Sequence, residues 1–255
     1  MSNVFAIAHK ELRSYFASPI AYVVTGVFGL TFGFFYTAYL YGFVEMSMGN
    51  PGTGGGGPAN VNQQMIRPVL QNAAVVLLFV LPMLTMRTYA EERRSGTIEL
   101  LLTSPLTDVQ IILGKFLGAL ALYAVMLAAS ATNVLWLFAF GRPEWGPILS
   151  GYLGLLLFGG AFIAIGLLIS SLTSNQIVAG AVSFTLFLLL WIVDWVSSFT
   201  GPDVGNVLSY LSITSHLDEF LGGVLETKNI IYYLSFITFG LFLTAKAVDS
   251  QRWRG

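Results

Sequence analysis

Few residues in this sequence have the types and spacing that chemistry needs. His9 and His216 lie near opposite ends of the chain, and with zero cysteines there is no thiol nucleophile, thiolate metal site or disulfide. The glycine run GNPGTGGGGPAN at 49–60 invites a phosphate-loop reading, but no Lys-Ser or Lys-Thr follows it and no strand or helix pattern brackets it. Gly114-Lys115 lacks the upstream glycine of that motif, so no nucleotide-binding loop is expected here. Asp194, in LLLWIVDWVSSF, is the one ionisable residue well inside an apolar run. Burying such a charge at mid-helix costs about 2.5–3.5 kcal/mol on insertion scales. Trp191 and Trp195 flank it, and tryptophans mark membrane interfaces, so an outer headgroup position and a pathway-lining carboxylate both stay open. Thr132, Asn133, Ser183 and Thr185 can line a path or join helices by hydrogen bonds. An intramembrane enzyme would want a Ser-His pair or clustered carboxylates at a common depth, and the sequence offers neither.

The densest polar passage is AEERRSGTIELLLTSPLTD, from Ala90, between two long apolar runs. Ile98, Leu101 and Leu102 share one helical face; Gly96 can cap such a helix with Glu99 at its third position, and Ser104-Pro105 stops it. The result is about two turns, near 12 Å long at 1.5 Å per residue, too short to be stable alone. Either the bilayer surface holds it, or a groove on a partner receives Ile98, Leu101 and Leu102 as anchors with Glu91, Glu92, Arg93 and Arg94 as rim charges. Thr107 with Gln110 reads as a capping box opening the next helix.

The elements that must position these residues are membrane spans. The chain is 55% hydrophobic and only 10% charged, outside the balance of a soluble domain. Six apolar runs are long enough to cross a bilayer: 20–41, 69–89, 109–140, 148–172, 177–199 and 230–248. No secretory signal is evident, so the amino terminus is expected to be retained. Placing both termini in the cytoplasm leaves Lys10, Arg13, Arg87, Arg93, Arg94, Lys115, Lys246, Arg252 and Arg254 inside, against Arg67, Arg142 and Lys228 outside, as the positive-inside rule prefers. A net charge of -1 gives no footprint for a nucleic-acid partner. His9 and His216 then fall on opposite membrane sides and cannot share a metal. Lys115 and Arg87, near inner span ends, are expected to snorkel to water.

Val4 to Phe16 reads as an amphipathic helix on the inner surface, with Phe5, Ala8, Leu12, Tyr15 and Phe16 on one face and Lys10, Arg13 and Ser14 on the other. Ser18-Pro19 ends it. Gly29 with Gly33 and Gly114 with Gly118 let helix backbones approach, within a subunit or between subunits. Pro82 should kink the second span, residues 46–64 form a flexible outer loop, and Thr173 to Gln176 closes a tight hairpin. In the outer segment 200–229, Leu217, Phe220, Leu221, Val224 and Leu225 form a narrow apolar stripe, with a capping box at Ser215 and Asp218. An interfacial or re-entrant helix is expected there, its acidic residues Asp203, Asp218, Glu219 and Glu226 facing water or headgroups.

The order YAEERRSGTIELLLTSPLTDVQIILGKFLG, together with the six spans, a His-Lys-Glu-Leu pattern at His9 to Leu12 and an outer helical element before span six, resembles the ABC-2 type transporter permeases. The resemblance is closest to the branch of the gliding-motility and nitrous-oxide-reductase-maturation permeases. It implies an all-α membrane protein whose loop 90–108 carries a coupling helix, within Glu91 to Ser104, docked into a separate ATPase subunit. The residues matching that role are Glu91, Glu92, Arg93, Arg94, Gly96, Thr97, Ile98, Glu99, Leu101, Leu102 and Pro105. It further implies two ATPase copies, a second permease subunit as homodimer or related heterodimer, ATP and Mg on the ATPase with no cofactor on this chain, and a bacterial cytoplasmic membrane location with no catalysis of its own. An extracytoplasmic auxiliary protein is a further expected partner. A mechanical component acting on such a partner, with no transported solute, would carry the same loop; an intramembrane enzyme would not.

Overall fold

The computed structural model describes residues 2–48, 60–97, 106–141, 143–199 and 201–252. Among them, α1 spans Ser2–Ala17 and α2 Pro19–Met48; a π-helical turn at Asn62–Ile66 leads into α3, Arg67–Thr85, followed by the short α4, Ala90–Arg94. Then come α5 (Asp108–Phe140), α6 (Trp145–Leu172), α7 (Gln176–Phe199), α8 (Pro202–Leu211), α9 (Ile213–Leu221) and α10 (Thr227–Arg252). Six helical stretches among the described residues are long and apolar enough to cross a membrane. The protein is therefore an all-α membrane protein, as the composition requires. Its spans alternate in direction, so α1, α4 and the α6–α7 hairpin gather at one face, called here the α1 face, while α8 and α9 sit at the opposite face.

Lipid is as apolar as leucine, so the bundle is held by close packing and by internal hydrogen bonds rather than by expulsion of water. The centre is α6, whose most apolar window is 78% buried; the corresponding windows of α2, α7 and α10 are 22%, 17% and 17% buried, which makes those three the rim. α6 packs on α10, α3, α9, α5 and α7. Phe158, Phe162 of α6 and Phe187 of α7 form a continuous ring cluster, with Phe162 and Phe187 centroids 4.3 Å apart. Gly159 lets Tyr123 of α5 lie against the α6 backbone, where its hydroxyl donates to the Leu155 carbonyl at 2.6 Å.

Gly114 and Gly118 do bring helices together, and the partner is α1. A Cβ on Gly114 would stand 2.5 Å from Ile7 Cγ2, and one on Gly118 would stand 2.7 Å from Glu11 Cβ. The face of α1 that packs is Val4, Ile7, Ala8, Glu11, Leu12 and Tyr15. Phe5 and Phe16, expected on that face, are exposed instead. Gly29 and Gly33 on α2 have nothing within 4 Å of the position a Cβ would take.

The second span differs most from expectation. It starts earlier than Val69, because the Asn60 side chain accepts from the amides of Asn62 (2.9 Å) and Gln63 (3.4 Å). Asn62 also exchanges two hydrogen bonds with the Glu144 backbone, fixing this end to the α5–α6 connection. The span stops at Thr85, one turn past Pro82, and the backbone turns through 86–89 before α4 resumes. A break at a buried position leaves amides and carbonyls without helical partners. Ser170 of α6, itself fully buried, supplies them: its hydroxyl accepts from Tyr89 N (3.0 Å) and Ala90 N (3.1 Å) and donates to Met86 O (3.0 Å). One donor and two acceptor sites are all a hydroxyl has.

Ser170→Ala is expected to lower stability by about 1–3 kcal/mol, the cost of orphaning buried polar groups, read as a lower thermal midpoint in detergent. Ser235→Ala removes an exposed hydroxyl bonded only to its own helix at Ile231 O and should change the midpoint little; equal shifts in the two variants would refute the assignment. Gly118→Ala should cost about 1–3 kcal/mol by overpacking α1, whereas Gly33→Ala should leave the midpoint of the single chain unchanged.

Candidate coupling site

The charged residues of the α1 face converge on Lys115, on the early turns of α5. That helix opens with the capping box expected from sequence, Thr107 paired reciprocally with Gln110. Lys115 does not reach water: its side chain is 1% exposed. Its ammonium donates to Glu11 Oε1 of α1 at 3.0 Å, Glu92 Oε1 of α4 at 2.7 Å and Thr88 O at the span break at 3.1 Å, so all three protons are used. Tyr89 adds its ring face, 5.1 Å from the nitrogen. Glu11 can reach this point because Gly118 allows α1 to lie directly on α5. A buried ion pair repays its desolvation only when every member is satisfied, and removing one partner leaves a stranded charge.

Tyr15 pins the same helix one turn on. Its hydroxyl donates to Leu84 O (3.2 Å) and meets Thr88 Oγ1 (3.2 Å). Burial pushes its phenol up to about 12, so it stays a neutral donor. Arg87, expected to snorkel, instead donates to Ser18 Oγ (2.8 Å), at the α1–α2 junction, and pairs with Glu91 at 2.8 Å. Arg93 donates to the Ser171 carbonyl at the end of α6 at 2.7 Å, where a cation suits both the unpaired carbonyls and the helix dipole. Between α1 and α4 lies a polar crevice of about 310 Å³.

Of the residues matched to the coupling role, Glu92 and Arg93 thus turn inward as anchors, while Glu91, Arg94, Gly96 and Thr97 are exposed. Gly96 follows the end of α4 in the left-handed region at φ +73. Ile98, Glu99, Leu101, Leu102 and Pro105 lie outside the described residues, as does the expected two-turn helix. Glu11, Tyr15, Lys115 and Ser170 were not singled out as site residues. One signal existed: a glutamate on the apolar face of an amphipathic helix.

At the opposite face, Asp194 is engaged with the start of α9. Its Oδ1 accepts from Ser215 Oγ at 2.6 Å and Ser212 Oγ at 3.2 Å, a carboxylate at a helix N-terminus. The cap of α9 is Ser212, accepting from Ser215 N, so the helix starts before the expected Ser215 box. Leu217, Phe220 and Leu221 are buried against α6, with Phe220 and Leu217 over Gly154. The expected stripe does not continue: α9 ends at Leu221, Gly223 takes φ +88, and Val224 and Leu225 are exposed. Asp218, half-buried, accepts from Gln71 of α3 (2.8 Å). Ser150 and Tyr233 hold the Phe220 and Ile213 carbonyls at 2.8 and 2.7 Å, and His216 stacks on Tyr232 at 3.9 Å. Asn229 and then Lys228 hold the Glu219 carboxyl below its usual range. Asn133 is half-buried on α5.

Residues 5–248 match the family model described as ABC-2 family transporter protein. Two Escherichia coli K12 proteins are similar. The probable multidrug ABC transporter permease YbhS is 30% identical over 202 residues, covering 75% of this chain and 50% of that protein. The probable multidrug ABC transporter permease YbhR is 35% identical over 105 residues, covering 40% of this chain and 27% of that protein. The chain thus spans half or less of the length of these relatives. Six apolar helices and a family match running almost end to end carry one conclusion: this chain belongs to the ABC-2 family of membrane transporter proteins.

Proposed function

We propose that this chain is a permease subunit that couples ATP hydrolysis by a separate ATPase subunit to export of an unidentified substrate across a bacterial cytoplasmic membrane. The α1 face is the cytoplasmic one, in keeping with the excess of Lys and Arg there. ATP and its Mg belong to the ATPase, present in two copies; this chain supplies no catalytic group. The observation that carries the reading is the anchoring of α4. Through Lys115, Ser170, Arg93 and Arg87 it is bonded to α5, to α6 and to the α1–α2 junction. A push on the loop that follows α4 is thereby delivered to several membrane elements at once, which an isolated surface loop could not do. Ile98, Leu101 and Leu102 would be the anchors received by the ATPase, with Glu91 and Arg94 as rim charges.

The working assembly contains a second permease copy. The rim helix α2 supports this, since Gly26, Gly29 and Gly33 have nothing within 4 Å and leave room for a close helix. On the neighbouring α3, Phe79 and Met83 are exposed, and Phe79 packs on Phe184 of α7 at 4.9 Å. A face without fixed charge suits an apolar or amphipathic organic cargo, in keeping with the multidrug names of the relatives.

Purified from its native membrane with a tag on the full chain, the protein should carry an ATP-binding subunit. Leu101→Asp should abolish that copurification while membrane insertion is retained; unchanged recovery of the ATPase would count against the docking assignment. Gly29→Leu combined with Gly33→Leu should convert dimer to monomer in native mass spectrometry, and a persistent dimer would move the subunit interface off α2.

A further inference from the structure

We propose that the groove between α5 and α6 is a lipid site: it holds one acyl chain of a phospholipid from the leaflet opposite the α1 face, with a primary ammonium headgroup at the Glu144 carboxylate. The site is the same whichever face is cytoplasmic. The two helices are locked together near the middle of α5, where the Tyr123 hydroxyl donates to Leu155 O over the bare backbone of Gly159. They meet again at the far end, where Phe138 stacks on Trp145 at 4.0 Å. Between these points α5 presents Ala124, Ala128 and Ala131, whose single methyl groups leave a cavity of about 360 Å³ against α6. Leu135, Leu149 and Leu153 on its walls are exposed, so it opens sideways toward the bilayer.

Dimensions decide the occupant. The walls run from 124 to 135 on α5 and from 145 to 156 on α6, each about 16 Å long at 1.5 Å per residue. That is close to one leaflet of a hydrocarbon core about 30 Å thick. Volume over length gives a mean cross-section of about 22 Å². This is room for a single extended hydrocarbon chain, and far less than the roughly 80 Å² of a helix about 10 Å across, so a helix of a second copy cannot enter. The lining carries no ionisable side chain among the described residues. Its polar groups are the Trp145 indole at the mouth and the Tyr152 hydroxyl, already engaged with Ser130 Oγ at 3.2 Å. A charged or strongly polar ligand would lose its water there and gain no partner. Charge decides the headgroup. Glu144 immediately precedes Trp145, a residue type that marks the membrane interface. Its side chain is exposed, makes no capping bond to α6 and has no ion-pair partner among the described residues. A lone carboxylate at that level attracts an ammonium and repels a purely anionic headgroup.

The purified full chain is titrated in native mass spectrometry with dipalmitoyl phosphatidylethanolamine and, separately, with dipalmitoyl phosphatidylglycerol. Phosphatidylethanolamine should bind about two- to fivefold more tightly than phosphatidylglycerol, the contribution of an exposed ion pair. Glu144→Gln should erase that preference while both lipids still bind. Ala128→Trp, which fills the groove, should abolish the tightly held lipid, whereas Ala129→Trp, at the next position, exposed and outside the lining, should retain it. Independently of any variant, a phosphatidylethanolamine with a diazirine midway along its chain should label residues 124–135 and 145–156 of the unaltered chain. Label spread equally over the exposed face of α10, or identical lipid retention by the Ala128→Trp and Ala129→Trp variants, would mean an unspecific lipid belt and overturn the proposal. Absence of label from the groove in a dimer would mean that a second copy covers it, and would overturn the proposal equally. Equal affinity of the unaltered chain for the two lipids would overturn the headgroup assignment.

Discussion

The constraint on which the rest of the structure depends is a helix that stops while still buried. After Pro82 the second span ends at Thr85 and its backbone turns through 86–89 before regaining helical form. Protein interiors at membrane depth offer no bulk water, so each freed amide and carbonyl has to find a side chain. Tyr15 of α1 takes the Leu84 carbonyl, Lys115 of α5 takes the Thr88 carbonyl, and Ser170 of α6 takes Met86, Tyr89 and Ala90. The polar ties around α4 follow from this requirement. A charged junction exists here because an interrupted backbone demanded partners, and the partners came from three different helices.

Much of the architecture was legible from the sequence because membrane spans announce themselves by length and composition, and because local caps such as Thr107 with Gln110 depend only on neighbours. What escaped was non-local. Glu11 and Lys115 pair across the fold, and nothing in the spacing of either reveals the other; a lysine near a span end reads by default as one that reaches water. On α9 the apolar period ran on to Val224 and Leu225, although Gly222-Gly223 stood in between, and a glycine at positive φ ended the helix there. The acidic residues of that segment were expected to face water or headgroups because burial of charge is costly, yet Gln71 and Asn229 lower the cost for Asp218 and Glu219 by donating hydrogen bonds.

The two ends of the bundle use polar groups differently. At the α1 face, ion pairs link elements that lie on the proposed path of force. At the opposite face, hydrogen bonds donated by Gln71, Ser150, Tyr232 and Tyr233 and accepted by Asp194 fasten α9 and its approach to four different helices, and the ion pairs there, from Lys228 to Glu219 and Glu226, are solvent-exposed instead of buried. Between them stands α6, the most enclosed helix, contacting nearly every other element, while α2, α7 and α10 keep large apolar faces open. Rigid centre and open rim together describe a body able to tilt its outer helices without losing its core.

The Ser170 hydroxyl is used to saturation, with both lone pairs and its proton committed. Opening any one of the three bonds strands a buried backbone group together with the site it leaves on the hydroxyl, so the junction resists small displacements and is costly to part.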